Sequence, residues 1–312
     1  MKPTVFIHTN HKQYIGALVS AHSMRRNSRH ADRFDVRLIE HRDHLDFFRK
    51  YEGREYLRDN ATRRWLNDDL QSFTPLRFMP PELMGYEGRA VVVDPDVFAV
   101  QDVWELLSRD MEGKAVWCCT RGKGPRNHPA SSVMLLDCAK LTHWKVYEDF
   151  DALFRFEREY KRWMNLGYED PATIGILPPE WNHFDILNAR TKMIHNTRRR
   201  TQPWKSGLPI DFIPSENNPY SPFAWLMFAR RKLFGEYAFL GHYKPHPDKR
   251  QEDFFFGLLK ECIENGSVSE ELVREAMRNN WVRHDAFEVL ERVPPVDATL
   301  AAVRGESMAA AA

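Results

Sequence analysis

The stretch Arg89-Ala-Val-Val-Val-Asp-Pro-Asp-Val-Phe-Ala-Val100 constrains this chain more than any other. Val91 to Val93 form a short β-branched run of the kind that makes a buried strand. The run ends in two carboxylates, Asp94 and Asp96, with Pro95 between them. In open α/β sheets the carboxyl ends of strands are where ligands bind. Residues two apart in extended chain point to one side. Pro95 removes a backbone donor and biases Asp94 towards extended backbone. Two hard oxygen donors so placed suit Mg²⁺ or Mn²⁺ and, through the cation, a diphosphate.

Spacing alone does not single this pair out, because Asp149-Phe150-Asp151 repeats it. The second pair lies in an aromatic-rich stretch that reads as a solvated helix face. The first is followed by a further apolar run, Val97 to Val100, and then by Asp102 with Glu105 three residues on, a capping-box-like helix start.

With 312 residues, 43% apolar and 29% charged, the chain is of ordinary globular composition and can bury one large core. Forty-five basic against 44 acidic residues leave no global field to attract nucleic acid. Cys118, Cys119, Cys138 and Cys262 form no Cys-x-x-Cys pair and read as buried, reduced thiols. The amino terminus enters a strand without a hydrophobic leader, and no run is long enough to span a bilayer, so a cytoplasmic location is expected.

Thr4–Ile7, Phe34–Ile39, 91–93, Ala115–Cys119, Ser132–Leu136 and Lys192–His195 read as strands. Tyr14–Met24, Ala139–Trp144 and Asp149–Met164 read as helices, and the polar segment His41–Asp69 as helical and exposed. Strands alternating with helices predict an α/β sheet, at least partly parallel. From about Asp248 the pattern turns helical, over Asp253–Glu264, Ser269–Arg278 and His284–Glu291, with Gly266 as a stop. Three regions are expected: residues 1–247 as the α/β domain, 248–295 as a helical extension, and 296–312 as a disordered tail.

Several segments, in order, resemble the retaining glycosyltransferases of family eight, the family of glycogenin and the lipopolysaccharide galactosyltransferases. The resemblance covers roughly residues 4 to 206. It rests on Val5-Phe-Ile-His-Thr-Asn10 with Tyr14, Leu76-Arg-Phe78, Asp94-Pro-Asp96 with Asp102 and Leu106, Pro179-Glu-Trp-Asn182, and His195 followed by Pro203-Trp204-Lys205. It implies a GT-A (nucleotide-diphospho-sugar transferase) fold, a mixed sheet flanked by helices with a helical carboxyl-terminal extension. It also implies metal-dependent transfer from a UDP-sugar to a glycan, lipid-linked or protein acceptor. Asp94, Asp96 and His195 would hold Mn²⁺ or Mg²⁺. Thr9, Asn10 and Tyr14 would bind uracil and ribose, Arg77 and Lys205 the phosphates or sugar, and Asp170 and Ser132 the reacting face.

Two departures stand out. Ala130-Ser-Ser132 replaces the family's Asn-Ser-Gly, and Gln202 stands where a phosphate-binding lysine is expected; Arg198 to Arg200, or Lys205, are candidates for the missing charge. Pro222–Phe234, with Arg230, Arg231 and Lys232 beside apolar residues, reads as a core or dimer helix, or as a peripheral membrane contact. An inverting transferase, a nucleotidyltransferase, or a degenerate transferase fold acting as a binding or scaffold protein are the competing readings.

Overall fold

The computed structural model describes residues 2–59, 61–124, 127–212, 229–230, 233–234 and 239–306. Its strands run, in chain order, β1 Thr4–Thr9, β2 Asp35–Glu40, β3 Glu55–Arg58, β4 Ala61–Arg64, β5 Arg89–Val93, β6 Val97–Ala99, β7 Val116–Arg121, β8 His128–Asp137, β9 Ile174–Ile176, β10 His183–Phe184 and β11 Met193–His195. Six of them form a mixed sheet in the order β2-β1-β5-β8-β7-β9. β1 runs parallel to β2 and β5, whereas β8 is antiparallel to β5 and β7. β10, β11 and β6 make a second, three-stranded sheet, and β3 and β4 a hairpin.

The period of two along each strand sorts its side chains between two cores. Phe6, Ala90, Val92, Cys118 and Met134 face one cluster, which also takes Phe48, Leu76, Trp144 and Phe150. Val5, Ile7, Val91, Val93, Cys119 and Val133 face the other, against Ala17 and Met24 of helix Tyr14–Arg26. The opposite stripe of that helix, Ile15 and Val19, packs with Phe98, Trp204 and the carboxyl-terminal helices.

Helix Tyr14–Arg26 also closes the open edge of the small sheet. Ser20 Oγ donates to the Val97 carbonyl at 2.6 Å, Ala99 N donates to Ser23 Oγ at 2.9 Å, and Asn27 Nδ2 donates to the Ala99 carbonyl at 2.7 Å. Side chains thus satisfy backbone groups that a bare strand edge would leave exposed.

Several expectations are corrected. His41–Asp69 is not one exposed helix: helical turns run only over His41–Tyr51, the β3–β4 hairpin follows, and the segment buries Phe48, Tyr51, Tyr56 and Trp65. Aromatic residues spaced through a charged sequence carry that segment into the core despite its polarity. Ala139–Trp144 yields only a 3₁₀ turn, Cys138–Lys140. Asp149–Met164 is two helices, Val146–Phe154 and Tyr160–Met164, broken where Phe156 takes a positive φ of 60°. Asp149 is buried rather than solvated and is paired with Arg158 at 2.7 Å. The capping box after the acid pair does not close: Asp102 Oδ1 accepts from Trp104 N at 2.9 Å, but Glu105 turns outward to Lys192.

The carboxyl-terminal helices are Lys249–Glu264, Glu270–Arg278, Ala286–Arg292 and Val296–Arg304. The last occupies chain expected to be disordered. Val296, Leu300 and Val303 give it a buried stripe, and Gly305 at φ 73° ends it in the left-handed conformation that glycine adopts without strain. Gly257 lets it approach Lys249–Glu264, since a Cβ there would lie 3.0 Å from Val296 Cγ2. The basic-apolar stretch Pro222–Phe234 lies almost wholly outside the described residues. Among the described residues no helix is long and apolar enough to cross a membrane.

Candidate active site

Strand register brings the site together. Ile7 lies opposite Val93, so the next residues, His8 and Asp94, are neighbours at the carboxyl ends of β1 and β5. His8 Nε2 is 2.9 Å from Asp94 Oδ1. On the other side of β5, Val93 faces Val133, and Asp94 N donates to the Ser132 carbonyl at 3.0 Å. The β7–β8 register shifts between Cys118 and Cys119, which pair with Met134 and Ala130. Of the three residues this bulge skips, Ser131, Ser132 and Val133, the two serines are turned into the site, as bulges commonly do.

The turn after Asp94 leads into β6, and there Val97 pairs antiparallel with His195 of β11. His195 Nε2 is therefore brought to 3.2 Å from Asp96 Oδ1, and Asn196 N donates to the Asp96 carbonyl at 3.0 Å. Oxygen and nitrogen atoms of Asp94, Asp96 and His195 all lie within 4.8 Å of one another. Helix Tyr14–Arg26 backs this turn closely, because a Cβ on Gly16 would sit 3.0 Å from the Pro95 carbonyl oxygen.

The donor set fits a hard divalent cation. Asn182 Nδ2 donates to Ser132 Oγ at 2.9 Å, which turns its Oδ1 to His195 Nδ1 at 2.8 Å. That partner assigns the ring proton to Nδ1 and leaves the Nε2 lone pair facing Asp96 Oδ1. Two acceptors at that separation call for a proton or a cation between them, and the Asn182 oxygen takes the place of the acceptor that usually stands behind a ligating imidazole.

Arg77 enters from the 3₁₀ turn Thr74–Phe78, where Leu76 and Phe78 are fully buried and anchor the turn. Its Nη2 donates to Asp94 Oδ1 at 2.8 Å and its Nη1 to Ser131 Oγ at 2.6 Å. Burial alone would push the Asp94 carboxyl up, but Arg77 and His8 outweigh it and hold it well below the usual carboxylate range. Burial pushes His8 below its ordinary value, against the pull of Asp94, so it sits there neutral. Gln202 Nε2 donates to Asp96 Oδ2 at 3.1 Å and is itself joined to Gln13 at 3.4 Å.

Arg77, Asp94, Asp96, His195, Ser131 and Ser132 line a cavity of about 180 Å³ that also receives Gln71, Arg121, His128, Asn165, Thr197 and Arg199. Of the residues expected from sequence, Asp94, Asp96, His195, Arg77 and Ser132 meet there. Lys205 does not. It is fully buried with Nζ 2.6 Å from Asp211 Oδ2, and Tyr243 OH completes that buried cluster at 2.5 Å. Asp170 does not reach the cavity either: it is exposed, caps the turn Pro171–Thr173, and precedes β9 at the end of the sheet where Val116 pairs Ile174, away from Asp94. Thr9 and Asn10 are buried and internally bonded, Asn10 Nδ2 to the Asp69 carbonyl at 3.0 Å and to Ser72 Oγ at 3.0 Å. Tyr14 lies under the Arg42 guanidinium, 5.2 Å from its ring centre.

His8, Asn182's role and Arg199's position escape a sequence reading. His8 directly follows the apolar run of β1, and its place became legible only once β1 was paired with β5.

No family model matches the sequence, and no curated protein matches it. Among solved structures the chain is similar to the apo form of the glycosyltransferase GlyE of Streptococcus pneumoniae TIGR4, at TM-score 0.47 and 14% identity, over 65% of this chain and 56% of that one. The match thus spans little more than half of the streptococcal protein. It is also similar to galactosyltransferase LgtC in complex with donor and acceptor sugar analogues, at TM-score 0.44 and 11% identity, over 65% and 89% of the two chains. Mouse xyloside xylosyltransferase 1 in apo form follows at TM-score 0.42 and 12% identity, over 62% and 97%. Each of the three is named for sugar transfer.

Proposed function

We propose that the chain is a metal-dependent glycosyltransferase that moves a sugar from a nucleotide-diphosphate donor, UDP-linked, to an acceptor with retention of configuration. The observation that carries this reading is the convergence of Asp94, Asp96 and His195 at the strand ends, braced by Arg77 and Asn182. The order of motifs that resembles family eight supports it.

In this reading Asp94, Asp96 and His195 hold Mn²⁺ or Mg²⁺, which when bound neutralises the departing diphosphate. Arg77 fixes the Asp94 carboxylate through one nitrogen and Ser131 through the other, so the acid pair is organised before any ligand arrives. Ser132 orients Asn182, and through it His195. Among the described residues the two carboxylates that line the cavity both belong to the metal group, so no protein carboxylate is assigned as nucleophile. Front-face attack, with the leaving phosphate taking the acceptor's proton, is the mechanism this lining favours. Tyr14, Thr9 and Asn10, expected to bind uracil and ribose, do not line this cavity: Thr9 and Asn10 are bonded within the chain and Tyr14 lies against Arg42.

Calorimetric titration of UDP with Mn²⁺ tests the reading. Metal-dependent binding that vanishes in Asp94→Ala supports it, and no nucleotide binding under either metal rejects it. Slow donor hydrolysis followed by proton NMR of the released sugar then reports the anomeric outcome without an acceptor.

A further inference from the structure

The sequence places Gln202 where the family resemblance calls for a lysine, and the structure shows what both neighbouring candidates do instead. Gln202 spends its Nε2 on Asp96 at 3.1 Å. Lys205 is sealed in the interior against Asp211. Of the adjacent arginines, Arg198 and Arg200 are exposed, and Arg198 leans on Asp185 at 3.9 Å. Arg199 alone of the three turns into the cavity that holds the acid pair.

Among the described residues three guanidiniums line this cavity against two carboxylates. Arg77 is committed through both terminal nitrogens, to Asp94 and to Ser131. Arg121 and Arg199 are held differently, each over an aromatic face: Arg121 is 4.9 Å from the Phe184 ring centre and Arg199 is 5.4 Å from that of Phe212. Ring stacking uses the face of a guanidinium and leaves its N–H edge available. A divalent cation at the acid pair adds further to the positive excess. Burial pushes Arg199 below its ordinary value and the nearby Arg58 pushes the same way, while Asp69 and Asp96 pull against them.

We infer that Arg199, assisted by Arg121, is the cation that grips the diphosphate of the ligand, taking over the task that a lysine at position 202 would perform. This rests on the nucleotide-sugar reading of the same cavity. The fork geometry matches two phosphate oxygens at once, which an ammonium does not. The 3₁₀ turn Arg199–Thr201 fixes the residue's approach, and its backbone is tied to helix-bearing chain by Lys244 N donating to the Arg200 carbonyl at 2.7 Å.

The experiment uses the full chain with Mn²⁺ and four probes: UDP, UMP, uridine and inorganic pyrophosphate, titrated calorimetrically. Arg199→Gln is expected to weaken UDP and pyrophosphate about 10- to 100-fold, the worth of a charge-assisted hydrogen bond or two. It should weaken UMP much less and leave uridine unchanged. Arg199→Lys should recover part of the loss, and Arg198→Gln and Arg200→Gln should leave UDP affinity alone. A purely structural role would lower all four ligands together, so the ratio of UDP to UMP affinity decides the point, and a thermal melt of each variant reports its folding. Unchanged UDP affinity in Arg199→Gln, with binding lost in Asp94→Ala, overturns this inference and leaves the transferase reading standing. Arg199-dependent binding of pyrophosphate by a chain that ignores UDP supports the anion grip and overturns the nucleotide-sugar reading. A chain that binds none of the four overturns both.

Discussion

Asn182 Oδ1 accepts the Nδ1 proton of His195 at 2.8 Å, and this bond decides which imidazole nitrogen faces the acid pair. Asn182 sits on the 3₁₀ turn Pro179–Asn182, thirteen residues before its partner in sequence. Its other amide arm donates to Ser132 Oγ, so one side chain ties the histidine strand to the central sheet.

Asn182→Leu removes that constraint without removing a ligand. Mn²⁺ affinity should fall about 10- to 100-fold, the usual loss when a second-layer partner of a ligating histidine is deleted. Titration of free Mn²⁺ by electron paramagnetic resonance reads this directly. Affinity equal to that of the parent chain would show that the Nδ1 bond does not set the donor nitrogen.

Gly16→Val tests the support beneath the acid pair. A Cβ at Gly16 already sits 3.0 Å from the Pro95 carbonyl, and two further methyl groups require the Asp94-Pro95-Asp96 turn to move. Overpacking of this kind costs about 1–3 kcal/mol. The metal affinity should drop by more than the fold stability does, as urea unfolding and the Mn²⁺ titration together will show. A variant with lower stability but parental metal affinity counts against a rigid turn.

His41 makes stability depend on pH. It is buried, stacked on Phe48 at 4.7 Å, and burial, with His11 and His44 nearby, pushes its pKa from 6.5 down to about 4. Between those values the unfolded chain takes up a proton that the native chain refuses. Stability therefore rises with pH across this window and is lost as pH falls from about 6.5 towards 4. The contribution is on the order of 2–3 kcal/mol. His41→Leu should flatten that part of the urea-unfolding profile; parallel profiles for the two proteins would refute the assignment.

Trp204 joins the half of the chain that carries the acid pair to the carboxyl-terminal helices. It is fully buried, stacks on Phe255 at 4.6 Å, and its carbonyl accepts from Arg283 N at 2.7 Å. Trp204→Ala should cost about 3–5 kcal/mol, measured by urea denaturation. A loss below 1 kcal/mol would show that the helices collapse onto the vacated space.

What the sequence disclosed was local, and what it concealed was directional. The valine run and its acid pair were legible because strand length, proline and alternation act over a few residues. Arg77 was legible only through the resemblance of Leu76-Arg-Phe78 to the family's segment. Lys205 and Asp170 illustrate the opposite case. A lysine after Pro-Trp carries no mark of whether its four-carbon stem runs outward or inward, and here Asp211, distant by six residues, draws it inside. Asp170 precedes a proline, and its carboxylate is used up on Ala172 N at 2.9 Å. His8 belongs to a strand whose partner is far away in the chain, so only the pairing register could place it, whereas His195 was reached through the family resemblance. Helix Val296–Arg304 hid behind Pro294-Pro295 because it is short, and its three apolar anchors have meaning only against Gly257.

That last helix bears on how the site is assembled. Asn196, beside the histidine ligand, donates to Gln251 at 2.7 Å, and Gln251 also donates to the Asp185 carbonyl at 3.0 Å. Gln251 belongs to helix Lys249–Glu264, which packs on Val296 and Leu300. The brace for the histidine strand therefore comes from chain well downstream of both acids, the arginine and the histidine, so assembly of the site depends on the docking of helix Lys249–Glu264.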